Sequence, residues 1–456
     1  MRTRSRWVVG IALLSLGVTP FPLLAQVAVH LDQGRLAWSA GGQELGASSA
    51  WLQVRDIAAG EAFVTVPAVA AGNGFRGTAG GLAFAGAWKP AGDAVELTCT
   101  VSAEPPQDRA LVVRVALPLQ AAGWTWWDDA VRRRPIAADQ RYTYVLNWGG
   151  LRQVSTYPYC AVTGPGVGVS MAVPLHEPRV WRLAYDGPRQ ALEAEFDLGL
   201  SPDAAKSPAR ADFRLLVYAH DPAWGFRAAI ERYYELFPQY AERRVEAAGI
   251  WLLSFKPASM ACPWDWGLKF DEGAQQRAGY DRAHDILPFV YTECWGIYEG
   301  FGNKPPADGK DRYGRNVYMM KPEEMRQFIT DKLQAPPEQK FWGLPRREVA
   351  QAEVNSAIED RNGQWIWSHY TQTWSPGNFL SCLCLNPDPD LPRPSRNSVT
   401  WDGEILPAYD RTRASGGSLG GVYLDSVCGY VGFLDENFRR EQWQYADTPL
   451  VPSYKT

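Results

Sequence analysis

The pattern of the chain changes once, near residue 222, and this change constrains the fold more than any other feature. Residues 26–221 consist of short apolar or alternating runs, such as AFVTVP, AVELTCTVSA and LVVRVALPL, separated by clusters of Gly, Pro and Asp. Runs of this length with turns between them are typical of β-strands. Many short strands at regular spacing predict a large antiparallel β-sandwich over residues 26–221.

A helix opens the second pattern, in residues 222–248. The segment PAWGFRAAIERYYELFPQYAERR places Phe226, Ile230, Tyr233 and Phe237 at helical spacing. A proline at 238 closes this periodic run. We interpret the helix as the link between two domains.

Residues 249–456 then alternate strands with helices. The strands are predicted at 249–255, 287–295, 379–390 and 420–430, with helices at 271–285, 321–334 and 398–414 and a hairpin at 364–374. Alternation of this kind predicts a parallel sheet, and after a β-sandwich it favours a TIM-type (β/α) barrel over an open doubly wound sheet. No GxGxxG motif or P-loop follows a strand, which argues against nucleotide binding.

The length of this second part predicts a truncated barrel. A complete barrel has eight strand–helix units and typically ~250 residues. The 208 residues from 249 to 456 contain only four predicted strands and a long Gly- and Lys-rich insert. We therefore expect residues 249–456 to be the first half of a barrel.

The first 25 residues have the order of a secretory signal peptide. Arg2, Arg4 and Arg6 precede an apolar run over 7–24, and Ala25 is a small residue before Gln26. We expect cleavage near Gln26 and a secreted or periplasmic protein. The alternative is an uncleaved membrane anchor, but a spanning helix needs ~20 apolar residues, and two late prolines interrupt this run. No later segment is long and apolar enough to span a bilayer.

The composition of the chain limits the classes of ligand that it is expected to bind. The net charge is −4, from 46 basic and 50 acidic residues without a basic stripe, so nucleic acid is not an expected partner. The five His residues lack the spacing of a zinc site. In contrast, 20 Trp, 20 Tyr and 17 Phe make 12% of the chain aromatic. Most of these rings serve core packing, but aromatic walls with a few polar groups also suit sugar rings, and we predict a carbohydrate substrate.

Candidate catalytic residues lie where predicted strands end, because a barrel collects its reacting groups at the C-terminal ends of its strands. The fourth strand ends GVYLD, with Tyr423 and Asp425 on one face, and the second ends FVYTECW, with Tyr291, Glu293 and Trp295 on one face. We expect Tyr291, Trp295 and Asp388 to line the same concave face as Asp425. The alternative is that the two acids cap loops or form ion pairs at the rim.

The third predicted strand runs into the loop NPDPD. Asn386 and Asp388 offer oxygen atoms that suit sugar hydroxyls or a calcium ion. The alternative is a rigid turn that caps the next helix. Calcium is the only cofactor that the sequence suggests.

Hydrolysis of a glycosidic bond generally uses two carboxyl groups that flank the bond. Asp425 is the candidate for nucleophile or charge stabiliser. Its partner is either Glu293 or an acid beyond residue 456.

These features together resemble exported glycoside hydrolases. The signal peptide, a sandwich of mutarotase-like character, the helix FRAAIERYYELFP and a barrel strand ending YLDS are distantly similar to retaining α-glycosidases of the α-galactosidase, α-glucosidase and endo-α-N-acetylgalactosaminidase type. The resemblance implies a nucleophilic Asp at the end of barrel strand four, which is Asp425 here, and an acid/base on a later strand. It implies an exported, retaining glycoside hydrolase that acts on an oligosaccharide or polysaccharide.

Two other functions stay open at this point. One is a non-catalytic carbohydrate-binding or surface protein on a glycosidase-like scaffold. The other is a polysaccharide lyase, which needs Tyr, His or Arg residues converging on a uronate. No such cluster is evident along the sequence.

Overall fold

The structure is a computed structural model that describes residues 26–147, 153–252, 266–272, 277–302, 309–310, 316–317, 321–369, 378, 380–425 and 436–454. The predicted signal peptide, residues 1–25, lies outside the described residues. So does part of the predicted hairpin at 364–374 and most of the predicted insert that precedes residue 321.

Residues 26–220 form antiparallel β-sheets, as their pattern predicts. The strands are β1 (Val27–Asp32), β2 (Arg35–Ala40), β3 (Gln43–Ser48), β4 (Leu52–Asp56), β5 (Val64–Thr65), β6 (Val69–Ala71), β7 (Gly74–Ala79), β8 (Leu82–Ala91), β9 (Ala94–Ala103), β10 (Arg109–Pro118), β11 (Thr125–Trp127), β12 (Arg133–Pro135), β13 (Arg141–Thr143), β14 (Val145–Leu146), β15 (Val154–Ser155), β16 (Tyr159–Gly164), β17 (Val167–Ala172), β18 (Val180–Asp186), β19 (Ala191–Leu200) and β20 (Arg210–His220).

Two of these sheets pack face to face. A nine-stranded sheet has the order β12-β11-β16-β17-β20-β9-β8-β7-β6, and a six-stranded sheet has the order β13-β18-β19-β10-β4-β5. Alternate side chains of both sheets meet in one apolar core. Phe196 of β19 stacks on Phe213 of β20 in this core, with ring centroids 4.4 Å apart. The strands β1-β2-β3 form a smaller sheet, and β14 pairs with β15.

Helix α1 (Phe226–Leu236), followed by a 3₁₀ turn at Pro238–Tyr240, packs on the nine-stranded sheet. Phe226 and Tyr233 are buried against outer-face residues of that sheet. The Tyr218 hydroxyl of β20 donates a hydrogen bond to the Ala229 carbonyl at 2.9 Å. The helix predicted as a link between domains is therefore packed firmly on the sandwich.

The remaining elements begin with parallel strands and helices. They are β21 (Ile250–Leu252), β22 (Leu268–Asp271), α2 (Ala278–Ala283), β23 (Leu287–Thr292), β24 (Gly296–Gly300), β25 (Gly309–Lys310), β26 (Asn316–Val317), α3 (Pro322–Asp331), β27 (Lys340–Phe341), β28 (Leu344–Pro345), α4 (Arg346–Ser356), β29 (Trp367–His369), β30 (Leu380–Cys384), α5 (Arg396–Thr400), a π-helical turn (Trp401–Ile405), α6 (Leu406–Ala414), β31 (Gly421–Leu424) and α7 (Arg440–Trp443).

Four of these strands form one parallel sheet in the order β21-β22-β23-β31. The predicted parallel sheet is thus present, and the described residues form it as an open sheet and not as a closed barrel. The helices α5 and α6, joined by the π-helical turn, lead into β31. Ile405 and Ala408 of this helical segment pack against Val290 of β23.

The membership of this sheet corrects one prediction. The run FLSCLC, predicted as the third parallel strand, forms β30, which pairs antiparallel with β24 and β29 in a separate sheet. Its residues 381–384 are buried on both faces, because α3 and α4 cover this small sheet. An apolar run without alternation is typical of any doubly covered strand, so the run alone could not identify its partners.

The strand missing from the prediction is β22. Its last residue, Asp271, lies at the start of the segment that was predicted as a helix over 271–285. In the described part of that segment, residues 271–272 and 277–285, the helix is α2, Ala278–Ala283. The predicted helices at 321–334 and 398–414 are confirmed, with a 3₁₀ turn at Lys332–Gln334 ending the first.

Candidate functional site

Three neighbouring strands of the parallel sheet end in the same pattern, an aromatic residue followed two positions later by an acid. Strand β22 ends with Phe270 and then Glu272, β23 with Tyr291 and then Glu293, and β31 with Tyr423 and then Asp425. Successive side chains of a strand alternate between its faces, so each aromatic ring shares a face with the acid that follows it. The sheet therefore presents aromatic rings and carboxylates on one face at its C-terminal edge.

Tyr291 joins two of these acids. Its hydroxyl lies 2.8 Å from Oε1 of Glu293 and 2.7 Å from Oδ2 of Asp425. The two oxygens therefore lie no more than about 5.5 Å apart, which excludes the ~6.5–9.5 Å carboxyl separation of inverting glycosidases. The backbone fixes this geometry, because the Asp425 amide donates a hydrogen bond to the Thr292 carbonyl at 2.9 Å.

Proton counting adds a chemical constraint to this trio. A tyrosine hydroxyl carries one proton and can donate it to one acceptor at a time. The Tyr291 hydroxyl can therefore donate to Glu293 or to Asp425, but not to both at once. It lies between the two carboxyl groups and positions both of them.

Aromatic rings extend along the face next to this trio. The ring of Trp251 on β21 stacks on Phe270 at 5.5 Å and contacts Phe289 and Tyr423, each at 5.0 Å between centroids. Its indole Nε1 donates a hydrogen bond to Oε2 of Glu272 at 3.1 Å. The Trp251 residue is 37% exposed, so part of its ring is open to a ligand.

Both tyrosines of the face are held in the protonated form. Burial, followed by the Asp425 and Glu293 carboxylates, raises the pKa of Tyr291 far above its usual value. Burial, followed by the charges of Glu272 and Asp425, raises the pKa of Tyr423. The hydroxyls of Tyr291 and Tyr423 therefore act as hydrogen-bond donors and not as bases.

A cavity of about 670 Å³ opens beside β23, between that strand, the helical segment 396–411 and the β27–β28 hairpin. Glu293, Arg396 and Glu404 lie in its wall. The Arg396 side chain is buried, donates to the Glu293 carbonyl and lies over the Trp342 ring at 4.9 Å. Burial raises the pKa of Glu404, whose carboxylate accepts a hydrogen bond from the Thr292 hydroxyl.

Glu293 lies between this cavity and the aromatic face. Its Oε1 faces Tyr291, whereas its Oε2 is buried and has no hydrogen-bond partner among the residues that the structure describes. Leaving a buried carboxylate oxygen unpaired is costly. A ligand hydroxyl or a proton at this oxygen would remove that cost.

Four predicted site residues lie together, namely Tyr291, Glu293, Tyr423 and Asp425. Trp295 does not join them, because β23 ends at Thr292 and the chain bends before β24. Its ring is 1% exposed and its carbonyl accepts a hydrogen bond from the Leu385 amide at 2.8 Å. Trp295 is thus a core residue, and the expectation that it lines the concave face is corrected.

Asn386 and Asp388 follow β30, which lies outside the parallel sheet. Oδ1 of Asn386 accepts a hydrogen bond from the Asp388 amide at 3.0 Å, and Oδ1 of Asp388 accepts one from the Asp390 amide at 2.9 Å. These bonds are typical of a rigid turn, which was the alternative interpretation. Within the described ranges, no group of three or more His, Cys, Asp and Glu side chains is placed to hold a metal ion.

Sequence reasoning missed Glu272 and Trp251. The signal for Glu272 was the run LKFDE, which has the same aromatic-x-acid spacing as FVYTE and VYLD. Trp251 lies in a predicted strand, but which rings meet across neighbouring strands depends on the register of a sheet that the sequence does not reveal. Among the described helices, none is long and apolar enough to cross a membrane.

Comparisons with known proteins give a distant likeness only. No protein-family model matches the sequence, and no curated protein matches it. Among solved structures, ligand-free α-N-acetylgalactosaminidase NagBb from Bifidobacterium bifidum is 13% identical with a TM-score of 0.36, over 89% of this chain and 70% of that one. An α-galactosidase from Lactobacillus brevis is 10% identical with a TM-score of 0.35, over 67% of this chain and 48% of that one. A polysaccharide lyase is 11% identical with a TM-score of 0.29, over 46% of this chain and 34% of that one. This chain thus spans about a third of the lyase and about half of the galactosidase, and the structures that it resembles are carbohydrate-active proteins.

Proposed function

We propose that this protein is an exported, retaining glycoside hydrolase that acts on an oligosaccharide or polysaccharide, with Asp425 as its nucleophile. The observation that carries the proposal is the placement of Glu293 and Asp425 on either side of the Tyr291 hydroxyl, at 2.8 and 2.7 Å. They lie at the C-terminal ends of adjacent parallel strands, where barrel enzymes and open α/β sheets carry their active sites.

The reaction follows from this geometry. A carboxylate oxygen of Asp425 attacks the anomeric carbon, and the bond from that carbon to the glycosidic oxygen breaks, with a proton delivered to the leaving oxygen. Water then displaces Asp425 from the sugar, and the acid that donated the proton takes one back from this water. Tyr291 holds the carboxyl pair in place, and Glu293 is the described candidate for the proton donor. An acid on a strand outside the described residues is the other candidate.

The aromatic face supplies the sugar subsite in this proposal. Trp251 is the exposed ring of a row that leads from β21 to Asp425. A flat, partly exposed indole suits the C–H face of a pyranose ring. Glu272 is buried and accepts the hydrogen bond of the Trp251 indole N–H, which holds this ring in place.

A second candidate function is non-catalytic carbohydrate binding at the same face. The observation in its favour is that Oδ2 of Asp425 already accepts a hydrogen bond from Tyr291, which holds the carboxylate as a fixed acceptor. The two functions share their binding residues and differ only in whether Asp425 attacks the sugar.

α-Glycosyl fluorides separate these functions, because fluoride leaves without a proton and the reaction then needs only the nucleophile. We expect this chain to hydrolyse one of the α-galactosyl, α-glucosyl or N-acetyl-α-galactosaminyl fluorides. Asp425→Asn should lower kcat by at least ~1000-fold, since an amide cannot attack. Azide should restore turnover and give a glycosyl azide of inverted configuration.

The role of Glu293 needs a second substrate. If Glu293 is the acid, Glu293→Gln should still release a burst of fluoride as the glycosyl-enzyme forms, and it should lose activity on an alkyl glycoside, whose leaving oxygen must be protonated. Asp410→Asn is the matched control, because Asp410 is an exposed acid on the neighbouring helix α6. Near-wild-type turnover by Asp425→Asn, or sugar binding without any fluoride hydrolysis, would replace this proposal with the binding function.

A further inference from the structure

A second charged site lies on the sandwich, on the face of the six-stranded sheet that points away from the apolar core. Ala194 and Phe196 of β19 face the core, so the alternating residues Glu193, Glu195 and Asp197 face outward. All three are nonetheless buried, with 0–2% of each residue exposed. An outer sheet face that buries three consecutive acids is unusual, because burial of a charge is costly unless it is paired.

Arginines from neighbouring strands pair with these acids. Arg182 of β18 donates to Oε2 of Glu195 at 3.0 Å and to Oδ2 of Asp197 at 2.9 Å. Arg114 of β10 donates to Oε1 of Glu195 at 2.8 Å from the opposite side. Arg182 and Arg114 are also buried, at 5% and 4% exposure. The sheet face is therefore an ordered network of guanidinium and carboxylate groups.

The network forms the floor of a cavity of about 540 Å³, which is within the size range of small-ligand sites. Five arginines and only two glutamates line this cavity. Glu193 and Asp197 lie beneath it and are not part of its lining. The lining therefore carries an excess of positive charge, although the network as a whole is balanced.

One group in this site is incompletely paired. Arg55 is buried, and its Nε has no hydrogen-bond partner in the described part of the chain. Its ion-pair partner among the described residues, Glu61, has a side chain that is 89% exposed. Arg189 lines the same cavity with a side chain that is 49% exposed, and it pairs with Asp186 at 2.8 Å. Next to them, the Arg114 guanidinium lies 3.5 Å from the centroid of the Phe63 ring, which gives the cavity an apolar wall.

Stability alone does not account for this arrangement. Buried ion pairs contribute little net stability, and well-packed apolar residues in their place are often equally stable or more stable. A guanidinium with an unused, buried N–H is suited to bidentate recognition of an anionic oxygen pair. The five arginines are far apart in sequence, at positions 55, 114, 141, 182 and 189, so only the fold brings them together.

We propose that this cavity binds an anionic saccharide unit, with its carboxylate or sulfate group held by Arg55 and Arg189 and its ring against Phe63. The side-chain oxygens of Thr143 and Gln153, which also line the cavity, accept hydrogen bonds from the sugar hydroxyls. The site lies on the sandwich and does not depend on the chemistry at Asp425. Through this site, the sandwich would bind a uronate-containing or sulfated polysaccharide, while the parallel sheet belongs to the same chain.

Titration calorimetry with the whole chain tests the proposal. The probes are trigalacturonate, a sulfated galactotriose and neutral galactotriose, each measured at low and high NaCl concentration. We expect at least one anionic probe to bind, to bind more weakly at high salt, and to lose at least tenfold in affinity in Arg189→Gln and in Arg55→Gln. Arg76→Gln, an exposed arginine of β7 on the other sheet, should bind as the wild type does. Binding of only one anionic probe would identify the group, carboxylate or sulfate.

Three results would overturn the proposal. They are no binding of either anionic probe by the wild type, equal binding of galactotriose, and equal affinity for inorganic sulfate or acetate alone, which would indicate a simple ion site. Arg189→Gln changes a half-exposed side chain, so its melting temperature should match that of the wild type. Unchanged affinity in this folded variant would also exclude the site.

Discussion

Two sheet faces in this protein carry rows of acids, and they differ in what lies beside each carboxylate. On the six-stranded sheet, Glu195 contacts three guanidinium groups, from Arg114, Arg141 and Arg182. On the parallel sheet, Glu293 and Asp425 contact a tyrosine hydroxyl, and no salt bridge to either is present among the described residues. A carboxylate surrounded by cations is held in its charged form, whereas a pair that shares a hydroxyl is free to exchange a proton and to attack.

The burial of the two faces follows the same division. The acids of the sandwich are buried, while Glu293 and Asp425 are only partly buried. Aromatic rings, and not cations, surround the second pair. The comparison indicates that the sandwich face is built to hold charge in place and the parallel sheet face is built to bind a ring and act on it.

The first test of this difference between the two sheet faces removes a cation from the sandwich. Arg182→Met leaves Asp197 and part of Glu195 buried without their partner, and we expect a loss of about 3–5 kcal/mol in the free energy of unfolding, as is typical of a broken buried pair. Urea denaturation measures the loss. Arg132→Met, which breaks an exposed pair with Asp129, should leave the free energy of unfolding close to that of the wild type.

If Arg182→Met does not fold, Arg182→Lys provides a milder test of the same contacts. Lysine keeps the charge but cannot donate to both carboxylates in the same geometry, so an intermediate loss is expected. A loss below 1 kcal/mol in Arg182→Met would mean that the buried acids do not depend on Arg182 for compensation of their charge.

The second test uses pH. The neighbouring arginines outweigh the effect of burial and lower the pKa of Glu195 from 4.5 to about 2. The folded state therefore binds this proton less readily than the unfolded state. The resulting stability is present above pH 4.5 and is lost as the pH falls towards 2. Burial raises the pKa of Glu193 and offsets part of this loss, so we expect a net loss of roughly 2–3 kcal/mol.

The parallel sheet region should respond in the opposite direction. Burial and the nearby Asp271 raise the pKa of Asp281 on α2 to about 7, so its ionisation in the folded state costs stability as the pH rises from 4 to 7. Amide hydrogen exchange reports both regions in one sample. On acidification from pH 8 to pH 5, protection should rise around α2, and below pH 4.5 it should fall in β19. Parallel trends in the two regions would contradict the comparison.

The sequence predicts those features of the two sheet faces that depend on the local residue pattern. Alternation within single strands sufficed to place Tyr291 with Glu293 and Tyr423 with Asp425 on one face. Alternation does not predict which strands pair with each other. Strand β30 has the composition of a parallel core strand but pairs antiparallel with β24. The predicted position of Asn386 and Asp388 depended on that pairing, and the two residues follow a strand that lies outside the parallel sheet.

The charged cavity of the sandwich also depends on strand pairing that the sequence does not reveal. Each of its arginines lies in a strand or loop whose local pattern is ordinary, and neighbours such as Arg114 and Glu195 are 81 positions apart. Their meeting depends on the order β18-β19-β10-β4 within the sheet. Sequence analysis therefore found no converging basic cluster, although the fold assembles one.

The last test has the smallest expected effect on stability, and it separates the two sheet faces most clearly. Tyr291→Phe removes the hydroxyl between Glu293 and Asp425 and keeps the ring, so the free energy of unfolding should fall by about 1 kcal/mol or less, far below the loss in Arg182→Met. Turnover should nevertheless fall by roughly 10–100-fold, because the carboxyl pair is no longer held in position. The loss should fall on kcat and not on KM, because the hydroxyl acts by positioning the two carboxyl groups. Tyr409→Phe on helix α6 is the control for loss of a tyrosine hydroxyl nearby. If Tyr291→Phe instead costs several kcal/mol in stability and leaves kcat unchanged, Tyr291 has a structural role like that of Arg182, and the two faces do not differ in the way proposed.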